Sequence, residues 1–251
     1  MPTELGWIRQ FHAPRSPESA PLVIFPHAGA GASAYRAFSK ELARHFDTIV
    51  MQYPGRQDRV REVAAETLPD IAAGAFEAFG SSPHNRNRPI TVFGHSMGAI
   101  IAFEFVRLAE QAGLPIRLLA ASSAGAPMCI ADLPPHPSDD EQLLEHMSAL
   151  NGTGDAVMAS REVLRMALPV MKADYRAFDA YSCPPDIRIA APIAVLGGDT
   201  DPFVAPRDLY AWEAHTEAGI QVTLFNGGHF YLNEHHAGIA ELLVAETSVV
   251  A

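Results

Sequence analysis

Hydrophobic positions along this chain follow two rhythms that take turns. Short β-branched and aliphatic runs occupy positions 22–25, 48–52, 90–93, 118–122, 193–196 and 222–225 and read as strands. Between them, helical patterns are legible at 33–45, 68–79, 97–111, 207–216 and 237–246. Strands that alternate with helices predict a mostly parallel, twisted sheet with helical crossovers on its faces, an α/β class. Residues 7–11 can add an antiparallel edge strand. No internal repeat or low-complexity linker divides the sequence, so residues 1–251 are expected to form one domain.

One stretch breaks the alternation. About seventy residues separate the strand ending near Ser123 from the strand starting at Ile193, far more than a crossover needs. The stretch opens with the proline-rich turn Leu133-Pro134-Pro135-His136-Pro137. Two helical patterns follow, at 139–150 and 162–181, with Asn151-Gly152-Thr153-Gly154 between them. In the second, Leu164, Leu168, Met171, Tyr175 and Phe178 form one apolar stripe. The insertion, bounded at 127–190, leaves from the carboxyl end of a strand, where sheets of this kind place their sites. It is expected to form a helical lid, with Leu168, Met171 and Tyr175 lining a substrate pocket. The plainer alternative is an embellishment packed on the core.

Candidate chemistry starts where a strand meets a helix. Gly94-His95-Ser96-Met97-Gly98 follows the run Ile90-Thr91-Val92-Phe93 and precedes an apolar helix. This is the layout of a nucleophile elbow, a turn so sharp that positions two away from the serine must be glycine or very small. A serine hydroxyl is a weak nucleophile without a positioned base. In chain order the base should be a histidine after the last strand, and His229, following Asn226-Gly227-Gly228, fits best of the eleven histidines. His215 falls within a predicted helix, and His95 within the elbow is expected to support the turn. The orienting acid should follow the preceding strand, where Asp199 and Asp201 compete. Asp201 is favoured by the spacing Gly198-x-x-Asp201-x-x-Val204, with Asp199 left as a turn cap. An oxyanion hole would take the backbone N–H of Met97 and a second N–H from the loop Phe25-Pro26-His27-Ala28-Gly29-Ala30-Gly31, with Ala28 as donor.

Composition narrows the classes. The net charge of −11 argues against nucleic acid and against anionic membranes. No apolar run approaches the ~20 residues that span a bilayer, and the first residues lack the pattern of a signal peptide. A cytoplasmic location is therefore expected. Cys129 and Cys183 are too few for a disulfide framework or a zinc site, and two reduced thiols are expected. Glu234-His235-His236 suggests metal ligands only superficially, because adjacent helical residues point apart; the three read as surface residues at a helix start, and no metal is expected. Arg56, Arg59 and Arg61 read as a solvated basic loop, with an acidic partner as the alternative.

Several blocks taken together resemble one family. Phe25-Pro26-His27-Ala28-Gly29, Gln52-Tyr53-Pro54-Gly55-Arg56 with Arg59, the elbow with Phe103-Glu104, Gly197-Gly198 through Asp201-Pro202, and Gly228-His229-Phe230-Tyr231-Leu232 are similar to those of the type II thioesterases. These are stand-alone editing enzymes of polyketide and nonribosomal peptide synthesis, in the α/β-hydrolase superfamily. The resemblance implies a Ser96, Asp201, His229 triad, Ala28 and Met97 as oxyanion donors, and a helical lid. It further implies hydrolysis of acyl groups from the phosphopantetheine arm of acyl- or peptidyl-carrier proteins. No cofactor would be needed beyond the pantetheine the substrate carries, and a monomer is expected. Carrier proteins of these pathways are usually acidic, as this chain is, so docking would rely on local patches and apolar contact. The competing readings are a carboxylesterase or lipase with the same triad, and a binding protein that keeps the fold without catalysis.

Overall fold

The computed structural model describes residues 6–150 and 161–249. Seven strands form one sheet in the order β1-β3-β2-β4-β5-β6-β7. They are β1 (Ile8–Arg9), β2 (Pro21–Phe25), β3 (Asp47–Met51), β4 (Ile90–His95), β5 (Ile116–Ser122), β6 (Ile193–Gly198) and β7 (Ile220–Phe225). Every pairing is parallel except that of β1, which runs antiparallel to β3 through Ile8 and Met51. The expected parallel sheet with one antiparallel edge is therefore what forms.

Strands β2, β3 and β4 are buried along their whole length because helices cover both faces. Side-chain alternation divides the core accordingly. Val23, Phe25 and Val92 pack with α2 (Leu68–Gly80) and α3 (Met97–Gln111). Leu22, Ile24 and Phe93 pack with Phe38 and Leu42 of α1 (Arg36–Leu42) and with Ile239 and Leu243 of α7 (His236–Val249). The α2 start is capped as its sequence suggests: Thr67 Oγ1 accepts from the Asp70 N–H at 3.2 Å, and Pro69 stands in the first turn, where no amide is missed.

Two expected helices differ in kind. The 33–45 pattern begins as a 3₁₀ turn over Ala32–Tyr35 before α1. The 207–216 pattern holds only one α-helical turn, α6 (Pro206–Leu209), and continues as a 3₁₀ segment, Tyr210–His215. Tertiary anchors explain the second case. Trp212 Nε1 donates to Ala124 O at 2.9 Å, and His215 Nδ1 donates to Ile187 O at 2.7 Å while its Nε2 accepts from the Met128 N–H at 3.2 Å. Those fixed partners set the pitch of a short segment, which 3₁₀ geometry tolerates.

The stretch between β5 and β6 contains a 3₁₀ segment (Pro127–Asp132), α4 (Asp140–Leu150) and α5 (Arg161–Asp179). The Asn151-Gly152-Thr153-Gly154 turn lies outside the described residues. Lys172 pairs with Asp140 to join α5 to α4, and the Tyr181 hydroxyl donates to Glu104 of α3 at 2.6 Å. Among the described residues, no helix is long and apolar enough to cross a membrane.

Candidate active site

Strands β2 and β4 are neighbours, with Phe25 opposite Gly94, although β3 intervenes between them in sequence. The loops leaving their carboxyl ends consequently start side by side, at the kind of switch point where open α/β sheets form crevices. The loop after β4 is the elbow. Ser96 has φ 54° and ψ −126°, a strained conformation for a residue with a side chain. A Cβ on Gly94 would stand 2.2 Å from Gly98 O, and one on Gly98 would stand 2.1 Å from Phe25 O. Only glycine allows the turn and the β2 loop to approach this closely. Ser96 is half-buried at the start of α3, with Met97 as its first residue.

The β2 loop is held from several sides. Tyr53 Oη donates to Pro26 O at 3.0 Å, and the Ala32 N–H donates to Gln52 Oε1 at 2.6 Å. Tyr35 Oη accepts from the His27 N–H at 3.3 Å and donates to His27 Nδ1 at 2.8 Å. Burial, reinforced by the neighbouring His229 and Arg56 charges, pushes the His27 imidazole down to about 3, so the ring stays neutral. Ala28 is buried and lines the same cavity as Ser96.

Asp201 and His229 come from the loops after β6 and β7. The carboxyl end of β6 can meet the β7 loop only because Gly198 lacks a side chain, since a Cβ there would stand 2.3 Å from both Gly227 O and Gly228 O. His229 Nδ1 donates to Asp201 Oδ2 at 2.8 Å, and both side chains are almost completely buried. The other carboxylate oxygen, Oδ1, accepts from the N–H groups of Phe203 at 2.9 Å and Val204 at 3.3 Å. Burial by itself would raise the Asp201 carboxyl. The hydrogen bond and charge of His229, with the two backbone donors, outweigh it and hold the pKa below the ordinary value. Asp199 instead accepts from the Gly227 N–H at 2.9 Å and braces the turn before His229.

Behind this arrangement lies a buried relay. His95 Nδ1 meets Ser122 Oγ at 2.8 Å, and Ser122 Oγ meets Tyr231 Oη at 2.8 Å. Ser123 Oγ donates to the His229 carbonyl at 3.0 Å, anchoring the histidine's own backbone to the end of β5. Burial drives the His95 pKa well below normal, with His229 and His27 adding to it. Ser122, Ser123 and Tyr231 were not singled out from sequence. Their place at a strand end and beside His229 was the available signal.

Two cavities, of about 400 and 340 Å³, meet at Ser96 and His229 and share Tyr175 and Leu150 as well. The larger is lined by the β2 loop, Tyr35, Phe38, Met147, Met171 and Phe230. The smaller runs under the proline-rich turn, among Pro134, His136, His146, Phe178, Phe203 and Val204. Of the expected pocket residues, Met171 and Tyr175 line a cavity. Leu168 is buried beside them in the core and lines neither cavity.

Two surface readings need correction. Arg56 and Arg59 are buried, and only Arg61 is solvated. Arg56 makes a two-pronged ion pair with Asp174 of α5 at 2.8 and 2.7 Å, while Arg59 donates to Gln52 O at 2.7 Å and lies over the Trp7 ring. Arg59 also pairs with Glu62 three residues on, whereas the acidic partner of Arg56 lies 118 residues away, where local spacing cannot reveal it. His235 and His236 are half-buried, with His236 against Phe38 at the rim of the larger cavity. Cys129 and Cys183 are both free thiols.

A family model described as a thioesterase domain matches residues 20–247. Over 241 residues, 96% of this chain, the sequence is 42% identical to phenyloxazoline synthase MbtB of Mycobacterium tuberculosis. The match covers only 17% of that protein, so the chain spans about a sixth of the length of the first curated relatives. Thioesterase PikA5 of Streptomyces venezuelae is 36% identical, with 91% of this chain and 80% of PikA5 covered. Among solved structures, the type II thioesterase BorB from the borrelidin biosynthetic cluster superposes with a TM-score of 0.84 at 36% identity, covering 96% of this chain and 97% of BorB. Sheet order, elbow and these similarities agree, and the chain belongs to the thioesterase domain family, with the α/β-hydrolase fold.

Proposed function

We propose that this protein hydrolyses acyl thioesters carried on the phosphopantetheine arm of acyl- or peptidyl-carrier proteins, clearing stalled or aberrant groups in polyketide or nonribosomal peptide synthesis. The observation that carries this reading is the 2.8 Å contact between His229 Nδ1 and a buried Asp201, in a chain where His229 and Ser96 line the same cavities. With Nδ1–H committed to Asp201, the free lone pair belongs to Nε2, the nitrogen that accepts a proton from a serine hydroxyl.

In this mechanism Ser96 Oγ attacks the thioester carbonyl carbon and its proton passes to His229 Nε2. The carbonyl oxygen becomes an oxyanion, held by the N–H groups of Ala28 and Met97. As the tetrahedral carbon collapses, the carbon–sulfur bond breaks, and the imidazolium returns its proton to the departing pantetheine thiolate. Water then attacks the acyl-Ser96 ester with His229 as base, releasing the carboxylic acid and restoring the hydroxyl. A thioester has two arms on its carbonyl carbon. Two cavities meeting at Ser96 suit one arm each, the acyl group and the pantetheine.

The test is a release assay over a panel of acyl-loaded carrier proteins, with matching acyl-N-acetylcysteamine thioesters and oxygen esters alongside. Carrier-bound thioesters are expected to turn over fastest, and Ser96→Ala to lower the rate by a factor on the order of 10⁶. Faster turnover of oxygen esters would replace this reading with a carboxylesterase. Retained activity in the Ser96→Ala protein would end the assignment of the nucleophile.

A further inference from the structure

The oxyanion loop and α5 share a carboxylate. Asp174 lies on α5, and its Oδ2 accepts the Gly29 N–H at 2.7 Å. The same oxygen takes Arg56 Nη1 at 2.8 Å, and Oδ1 takes Arg56 Nη2 at 2.7 Å. Arg56 Nη1 also donates to Ala30 O at 3.2 Å, and the Arg56 carbonyl accepts from Gln52 Nε2 at 3.0 Å. Asp174 and Arg56 are both buried. Met171, one helical turn before Asp174, packs against Gly29 so closely that a Cβ there would come within 2.6 Å of its Cε.

The Gly29 N–H belongs to the Ala28–Gly29 peptide, which meets the His27–Ala28 peptide at the Ala28 Cα, so fixing it confines the Ala28 N–H to the directions that the φ and ψ of Ala28 allow. An ordinary buried ion pair would need only Arg56. Here the carboxylate reaches past it to a backbone amide of the oxyanion loop, alongside the apolar contact of Met171 with Gly29. We infer that Asp174 is a positioning residue for the oxyanion hole: it makes the aim of the Ala28 N–H conditional on α5 being seated over the cavity. The inference rests on the proposed role of Ala28. Its consequence is that the insertion that closes over the substrate also completes the electrostatic machinery, so binding and oxyanion stabilisation are coupled through one side chain.

The experiment compares Asp174→Asn and Asp174→Ala in kcat, KM and thermal midpoint on a short acyl-N-acetylcysteamine thioester, with amide hydrogen exchange across residues 28–31. Asparagine keeps an oxygen for the Gly29 N–H while losing the charge, and alanine keeps neither. Both variants lose thermal stability, since each leaves Arg56 without its carboxylate. Asp174→Ala is expected to lower kcat by about 10²-fold with KM little changed and to expose the Gly29 and Ala30 amides to exchange, as displacement of a catalytic group by about 1 Å would. Asp174→Asn is expected to hold kcat within about threefold of the parent and to keep those amides protected. Should Asp174→Ala not fold, the double variant Arg56→Met/Asp174→Leu removes the Gly29 acceptor without leaving a buried charge, and carries the same loss of kcat. Equal loss of stability with parental kcat in every folded variant would overturn the inference. A parent protein that releases no thioester would instead overturn the proposed function, and the exchange pattern would still report whether Asp174 holds the loop.

Discussion

Around Ser96 the backbone holds position, whereas α5 is held over the same cavity by side chains that reach to distant loops. At the elbow, Gly94 and Gly98 let main-chain segments approach to distances that no side chain permits, and the Ser96 N–H donates to Ser122 O at 2.7 Å as a continuation of the sheet. The insertion shares the apolar core through Leu143, Leu144 and Leu168 and adds long-range polar contacts, Asp174 on Arg56 and Gly29 and Tyr181 on Glu104. In the proposed mechanism the wall that carries the attacking group is fixed by the main chain, and the facing wall is fixed by side chains, which single substitutions can release.

Four substitutions sharpen that contrast. The largest effect is expected from Asp201→Asn, which keeps the shape but loses the acceptor that selects the His229 tautomer. Its kcat should fall by about 10⁴-fold for every acyl group alike, with the fold intact. Asp199→Asn, measured in parallel, should change kcat only slightly, and parity between the two would remove Asp201 from its role. Next comes the backbone wall: Gly98→Ala forces a Cβ against Phe25 O and should cost about 3 kcal/mol or more in a urea titration. If the variant unfolds like the parent, the elbow is less tightly determined than its geometry indicates. On the other wall, Tyr181→Phe leaves Glu104 with Arg107 but without the hydroxyl at 2.6 Å. A loss of about 1–3 kcal/mol with unchanged kcat on short thioesters is expected, and a fall in kcat would tie α3 to the chemistry.

The smallest effect concerns pH. The folded chain holds His27 neutral, with a pKa near 3, whereas in the unfolded chain it titrates near 6.5. Below pH 6.5 the unfolded state takes up a proton that the folded state refuses, so this contribution to stability is intact above pH 6.5 and declines as pH falls toward 3. His27→Gln, which can still accept from Tyr35, should flatten the stability profile in that interval by at most ~1.4 kcal/mol per pH unit. Urea midpoints at neutral and mildly acid pH would detect it, and an unchanged slope would mean the imidazole is protonated in the fold.

Much of the site was legible because its signals are local. An elbow is a strand, five residues and a helix, and an acid followed three residues on by Val204 is a turn whose amides point back at the carboxylate. What local reading missed lies in pairs far apart in the chain. Arg56 looked like a surface cation because its partner, Asp174, is 118 residues away. Ser123 and Tyr231 gave no sign of acting together through the His229 loop and Ser122. Leu168 shared a stripe with Met171 and Tyr175, yet a helical stripe says which residues face inward without saying whether they meet core or cavity.

Sequence by itself determined the parallel sheet, the sharp serine turn and the order in which Ser96, Asp201 and His229 follow the strands, since strand runs, glycine spacing and chain order are properties of neighbours. Only the tertiary structure decided that Asp201 rather than Asp199 meets His229, that two cavities join at Ser96, and that Asp174 ties α5 to the loop beside it. Each of those outcomes depends on which loops the strand order brings together at the carboxyl edge of the sheet. Burial then makes an unpaired charge there too costly to leave without a partner.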